Sequence, residues 1–270
     1  MNMNQEGKSR GQLGIKDLLV NSVDGFKDNI LGILCIMGIL LVLPMIVLGM
    51  LMVPLAGMIT FTLISGSTNA IGSIILLVLA IVFIFGILGN IFMVAVVKLI
   101  HEKEGYMGYG PLDAIKFAMG KIKTITVLVL LIVAISISAT IGVGLIAAIL
   151  TLISKTVAGI FLVVAVLASI MLFIYVTFSY QAIAIHELGA IDALKYSINI
   201  VRGRFGNVFC KLLVVAVIGG IIDYILGLIF GDAGAASFIA SIITAIISQY
   251  QVIYHTLMFK DYDQEDSRVM

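Results

Sequence analysis

Residues 157–183 read VAGIFLVVAVLASIMLFIYVTFSYQAI, with Lys155 just before them and His186-Glu187 just after. The stretch contains no Asp, Glu, Lys or Arg, and it exceeds the roughly 20 apolar residues that carry an α-helix across a hydrocarbon core of about 30 Å. Five further apolar runs lie at about 30–53, 71–97, 125–147, 208–230 and 235–258. The whole composition agrees: 61% hydrophobic, 11% charged and a mean hydropathy of +1.22, against roughly 45–50% apolar and about 25% charged in soluble domains. The expected fold is an all-α polytopic membrane protein of six transmembrane helices, forming a single integral membrane domain over 1–270.

The charges orient these spans. If the chain crosses six times, fifteen of its sixteen lysines and arginines share one side and only Lys155 lies on the other. An excess of Lys and Arg marks the cytoplasmic side, so both termini and the connections 98–124 and 186–211 are expected there, in the cell membrane. A net charge of +1 gives no reason to expect a nucleic-acid partner.

The outer connections are short: Ser65 to Asn69, Ser154-Lys155-Thr156, and Gly231-Asp232-Ala233-Gly234. No extracellular domain is expected. The first apolar run follows a charged stretch and is too long for a signal-peptide core, so no cleavable leader is expected. Cys35 and Cys210 sit far apart in apolar runs and predict no disulfide. Pro44 and Pro54, and Gly142-Val143-Gly144, are places where a span is expected to kink.

A threefold repeat emerges when Asp17, Asp113 and Asp192 are aligned. A glycine stands three residues before each (Gly14, Gly110, Gly189), and a base ten after (Lys27, Lys123, Arg202). Apolar residues stand two, six and nine after: Leu19, Val23 and Phe26; Ile115, Met119 and Ile122; Leu194, Ile198 and Val201. That spacing is one helical face. Each repeat (about 13–97, 109–185 and 188–258, followed by an acidic tail at 260–270) thus reads as an amphipathic surface helix leading into a transmembrane hairpin, with its apolar face towards the core.

Two readings of the repeated charges stand side by side. In one, the Asp and the base merely complement the two ends of the helix dipole. In the other, cationic helices lie on anionic lipid, each base near the surface contributing about 1 kcal/mol. Segments 98–124 and 186–211 each carry a net +2, while Asp261, Asp263, Glu265 and Asp266 oppose that attraction.

The residues Gly189-Ala190-Ile191-Asp192-Ala193-Leu194-Lys195-Tyr196-Ser197, leading through Arg204-Phe205-Gly206-Asn207-Val208 into an apolar run, with Pro111-Leu112-Asp113-Ala114-Ile115-Lys116 as a second copy, resemble an uncharacterised group of six-helix membrane proteins related to the membrane domain of glycerophosphoryl diester phosphodiesterases. The resemblance covers most of the chain. It implies a fold and no activity, because in those enzymes a separate soluble barrel does the chemistry.

Catalytic patterns are sparse. His101, His186 and His255 each fall at the cytoplasmic end of an even-numbered span, as His101-Glu102 and His186-Glu187 in two cases. They are weak metal candidates, since a site would need three ligands to converge and no short metal motif is present; the alternative is a His suited to a helix C-terminus. Gly105 to Gly110 is only loosely like a phosphate loop, and Tyr106 and Tyr109 suit the membrane interface. No Gly-x-Ser-x-Gly elbow occurs. Neither an enzyme nor a cofactor is expected.

Asp223 is the one carboxylate expected within the membrane, where an ionisable group is a functional candidate by default; the alternative is that it meets outer headgroups beside Tyr224. Small residues at Ala236, Ala240, Thr244 and Ser248, at Ala134, Ser138 and Gly142, and at Gly227 and Gly231 are expected to let helices pack closely. Two functions remain: a non-catalytic protein binding lipid headgroups or a membrane or cytoplasmic partner, and a small-solute or ion transporter using Asp223 with Ser136, Thr140, Gln181 and Gln249.

Overall fold

The computed structural model describes residues 13–42, 44–46, 48–50, 56–57, 60, 68–103, 108–231 and 235–269. Its elements are α1 (Ile15–Met37), a π-helical segment (Gly38–Val42), α2 (Thr68–Lys103), α3 (Pro111–Gly120), α4 (Ile122–Ile153), α5 (Lys155–Val176), α6 (Ser179–His186), α7 (Ala190–Val201), α8 (Phe205–Phe230) and α9 (Ala235–Val269). No strand occurs among the described residues.

Six helical stretches among them are long and apolar enough to cross a membrane: Ile15–Met50, Leu77–Lys103, Ile122–Ile153, Lys155–His186, Phe205–Phe230 and Ala240–Gln264. The burial pattern fits that solvent. Between Leu130 and Phe173 only Ala158 is buried, and Leu152 and Phe173 are 88% and 72% exposed. An apolar surface on this scale is not left to water, and helices satisfy their backbone within themselves, as lipid requires. The chain is a membrane protein.

It divides into two compact units, residues 1–29 with 130–270, and residues 30–129. In the second unit α2 is the centre, buried at Ile91, Phe92, Val94 to Val97, Leu99 and Ile100, with α3 against it. Gly32 lies so close to α2 that a Cβ there would stand 2.8 Å from Leu99 Cδ2. In the first unit α9 packs on α8, and α7 packs on α5 and α6. Its core gathers Phe178, Ala182 to Ala184, Ile200, Val201, Val208, Val252 to Tyr254, Met258, Phe259 and Tyr262.

The expected kinks resolve differently. The π-helical segment ends at Val42, two residues before Pro44, whose missing N–H removes an i→i−4 bond from that turn. Pro54 lies outside the described residues. Gly142-Val143-Gly144 breaks nothing, for α4 runs through it. The break that the sequence did not announce is at Thr177-Phe178, between α5 and α6.

The three entry points share one geometry. Gly14, Gly110 and Gly189 accept a backbone hydrogen bond from Leu18, Ala114 and Ala193 at 2.9, 3.2 and 2.8 Å. A Cβ on each glycine would lie 3.4, 3.6 and 3.7 Å from Oδ2 of Asp17, Asp113 and Asp192. At the second, the Gly110 N–H donates to Asp113 Oδ2 at 3.2 Å and Pro111 opens the helix. An acid here satisfies an orphan donor at the helix start.

The helices that follow depart from expectation in two ways. Only the third stands apart as drawn: α7 ends in a turn at Arg202–Arg204, with Gly203 at φ +89°. α3 is separated from α4 by Lys121 alone, and α1 runs unbroken from Ile15 to Met37. The protein-facing stripe is also displaced by one residue. Leu18, Ala114 and Ala193, then Ala118 and the hydroxyl-bearing Ser22 and Ser197, are all 0% exposed. On the apolar stripe expected to face the core, Val23, Met119 and Ile198 are 41%, 45% and 37% exposed, although Val201 is buried. Where lipid is the surrounding solvent, small residues mark a helix contact better than large apolar ones do.

Candidate functional site

The bases singled out by the repeat are all exposed, but they do not share one electrostatic position. Lys27 lies inside α1, 3.7 Å from Asp24. Lys123 is in the first turn of α4, and Arg202 is the C-terminal cap of α7. Only Arg202 therefore complements the negative end of its helix. The repeated acids Asp17, Asp113 and Asp192 sit over their glycines as helix-start groups. Lys16, Lys116 and Lys195 are exposed beside them.

The segment expected as an acidic tail continues α9 to Val269, and two of its carboxylates, Asp261 and Asp263, have partners in the first unit. Asp261 accepts from the Leu13 N–H at 3.0 Å and lies 3.6 Å from Lys211 Nζ, a lysine only 3% exposed. Lys211 also lies over the Tyr262 ring, 4.6 Å from its centroid, with Arg204 5.8 Å away. Asp263 faces His186 Nε2 at 3.0 Å and accepts from the Tyr196 hydroxyl. The rings of His186, Tyr196 and Phe259 contact one another around that carboxylate. A smaller counterpart exists in the second unit, where Lys98 is 2.9 Å from Glu102 and 4.4 Å from the Phe117 ring centroid.

The histidines do not make a centre. His101 is in the last turn of α2 and His186 ends α6, as expected. His255, expected at a helix end, lies within α9, against the Tyr254 ring. Among the described residues no three metal-ligating side chains converge. The glycine-rich loop at 105–110 lies partly outside the described residues, Tyr106 included.

Asp223 is exposed on α8 and accepts a hydrogen bond from Thr244 Oγ1 of α9 at 3.1 Å. It belongs to a polar seam between these two helices. Along it Gln251 crowds Gly219, and the Tyr254 hydroxyl donates to the Lys211 carbonyl at 3.2 Å. Hydrogen bonds of this kind hold membrane helices together. Thr140 bonds within its own helix to the Ser136 carbonyl, and Gln249 to Ala245 and Ser248. Gln181 is buried. The small residues Ala134 and Ser138 of α4 are exposed, and a Cβ on Gly142 would meet nothing within 4 Å; that stripe is not a contact within its unit.

Sequence reasoning missed Ser197. Its hydroxyl donates to the Tyr175 carbonyl at 2.7 Å and accepts from the Phe178 N–H at 3.1 Å, bridging the break between α5 and α6. It also missed the partners of the acidic end. Lys211, an isolated base at the head of an apolar run, was the available signal, because a charge so placed needs a counter-charge.

Residues 118–259 match the profile of a family described as a domain of unknown function (DUF7847). No curated protein and no solved structure matches.

Proposed function

Since this chain belongs to that DUF7847 family, kinship supplies no activity, and we propose from the geometry that it is a non-catalytic multi-pass protein of the cell membrane whose cationic helices hold anionic lipid headgroups at the cytoplasmic face. The observation that carries this reading is the exposure of the bases. Lys16, Lys27, Lys116, Lys123, Lys195 and Arg202 are exposed, and although the helix-start acids Asp17, Asp113 and Asp192 are exposed with them, Asp261 and Asp263, which would also repel a phosphate, have partners within the fold. The part-exposed apolar stripe of Val23, Met119 and Ile198 gives each helix an edge suited to the acyl boundary. The shared geometry at Gly14, Gly110 and Gly189 supports reading the helices as three repeats. The resemblance to the membrane domain of glycerophosphoryl diester phosphodiesterases suits a module that anchors without catalysing.

The test is lipid selectivity in reconstituted bilayers, measured by spin-labelled phosphatidylglycerol against phosphatidylcholine. With each base near the surface contributing about 1 kcal/mol, neutralising one headgroup-binding base lowers the preference roughly fivefold, on the scale where about 1.4 kcal/mol is tenfold. Lys116→Gln, Lys123→Gln and Lys195→Gln should each lower it and make what remains less sensitive to salt. An unchanged preference in the triple variant, together with solute flux abolished by Asp223→Asn, would favour the transporter instead.

A further inference from the structure

The first unit contains a cavity of about 230 Å³ lined by Ile132 and Ile135 of α4, Leu172, Tyr175 and Val176 of α5, and Leu194 and Ile198 of α7. Nearly every lining group is aliphatic. Ile135, Leu172 and Ile198 are 38%, 44% and 37% exposed, so the cavity is open rather than sealed, and it opens from spans whose exposed surface is mostly apolar. An apolar recess in contact with lipid fills with hydrocarbon, because water finds no partners there.

What makes this recess more than a gap between helices is its rim. Leu194, Ile198 and Arg202 follow one another at intervals of four, which places them along one side of the helix end. The two apolar members line the cavity, and the third, at the C-terminal cap of α7, is an exposed guanidinium. Lys195 stands next to Leu194 and is exposed as well. Apolar lining leading to a cation is complementary to one kind of molecule, an amphiphile with a hydrocarbon chain and an anionic head. A guanidinium also suits a phosphate better than an ammonium does, because its donors form a fixed fork.

We infer that this cavity seats one acyl chain of an anionic phospholipid, with Arg202 holding the headgroup phosphate and Lys195 adding to the local positive charge. The inference rests on the headgroup reading above and narrows it from a general preference to a single site. Seating a chain beneath α7 would tie that helix to α4 and α5 through the lipid.

The full chain is reconstituted in bilayers containing phosphatidylglycerol or phosphatidylcholine with a photoactivatable group on one acyl chain, and the crosslinked residues are mapped. Labelling concentrated on Ile135, Leu172, Leu194 and Ile198 is expected, falling at least tenfold in Ile135→Trp and in Leu172→Trp, which fill the cavity from two different helices. Arg202→Gln should reduce labelling by the phosphatidylglycerol probe about fivefold relative to the phosphatidylcholine probe, the weight of one base at an anionic surface. Label spread evenly over the exposed apolar residues of 130–173 and unaltered by either tryptophan overturns the site. The two tryptophan variants are compared after each elutes as a single helical species, and the labelling map of the unsubstituted chain decides the matter if either fails to fold. If phosphatidylglycerol enrichment persists while cavity labelling is absent, this inference fails and the general reading stands. If the enrichment itself is absent, both fail.

Discussion

Ser197 illustrates how much one small side chain decides. It supplies both a donor and an acceptor to the backbone at Tyr175 and Phe178, where the break between α5 and α6 frees groups that a continuous helix would have paired. Leaving buried polar groups unpaired costs about 1–3 kcal/mol. Ser197→Ala is therefore expected to lower the unfolding free energy by about 2 kcal/mol, measured as a fall in the thermal midpoint of the purified protein. Ser22, equally buried at the matching position of α1, bonds only to the Leu18 carbonyl within its own helix, and Ser22→Ala should cost less than half as much. Equal losses would show that Ser197 is not the bridge. The second copy already carries Ala118 at this place, and α3 has no such break to close.

Among the elements, α7 and the end of α9 show opposite ways of handling an interface. α7 buries Ala193, Ser197, Ile200 and Val201 while Ile191 and Ile198 remain exposed. Spin labels placed singly from Ile191 to Val201 should be least accessible to lipid-dissolved oxygen at Ala193 and Ser197 and most accessible at Ile191 and Ile198. Maxima at Ala193 or Ser197 would place the contact face elsewhere. At the end of α9, Asp261 and Lys211 are only 10% and 3% exposed. Removing one member of so buried a pair costs about 3–5 kcal/mol, while replacing both with apolar groups is far milder. Asp261→Asn should destabilise the first unit by that order, and Asp261→Leu with Lys211→Met should recover much of the loss. Additive losses in the double variant would mean that the two charges do not act as a pair.

For the whole molecule the deciding property is sidedness. Placing both termini and the connections around 98–124 and 186–211 in the cytoplasm leaves only Lys155 outside, which is the distribution that insertion favours. With Cys35 and Cys210, both exposed, replaced, an impermeant thiol reagent applied to intact cells should modify a cysteine at Ser67 or Asp232 and spare one at Lys103. The reverse pattern would invert the topology, and with it the side on which Lys116, Lys123, Lys195 and Arg202 could meet anionic lipid.

The number of spans was legible in the residues because transfer of a helix into hydrocarbon depends on composition and length alone, and the run at 157–183 needs no partner to declare itself. The helix starts at Gly14, Gly110 and Gly189 were legible because a capping acid acts within one turn. Which stripe of α7 meets the protein was not, since in lipid an apolar residue such as Ile198 is stable on either side, and only the close fit of Ala193 and Ser197 chooses between them. Nor was the capture of Asp261 and Asp263 by Lys211, His186 and Tyr196. Those acids read as a tail because their partners stand about 50 to 80 residues away in sequence, and a charge separated so far from its counter-charge is neutralised only once the chain has folded.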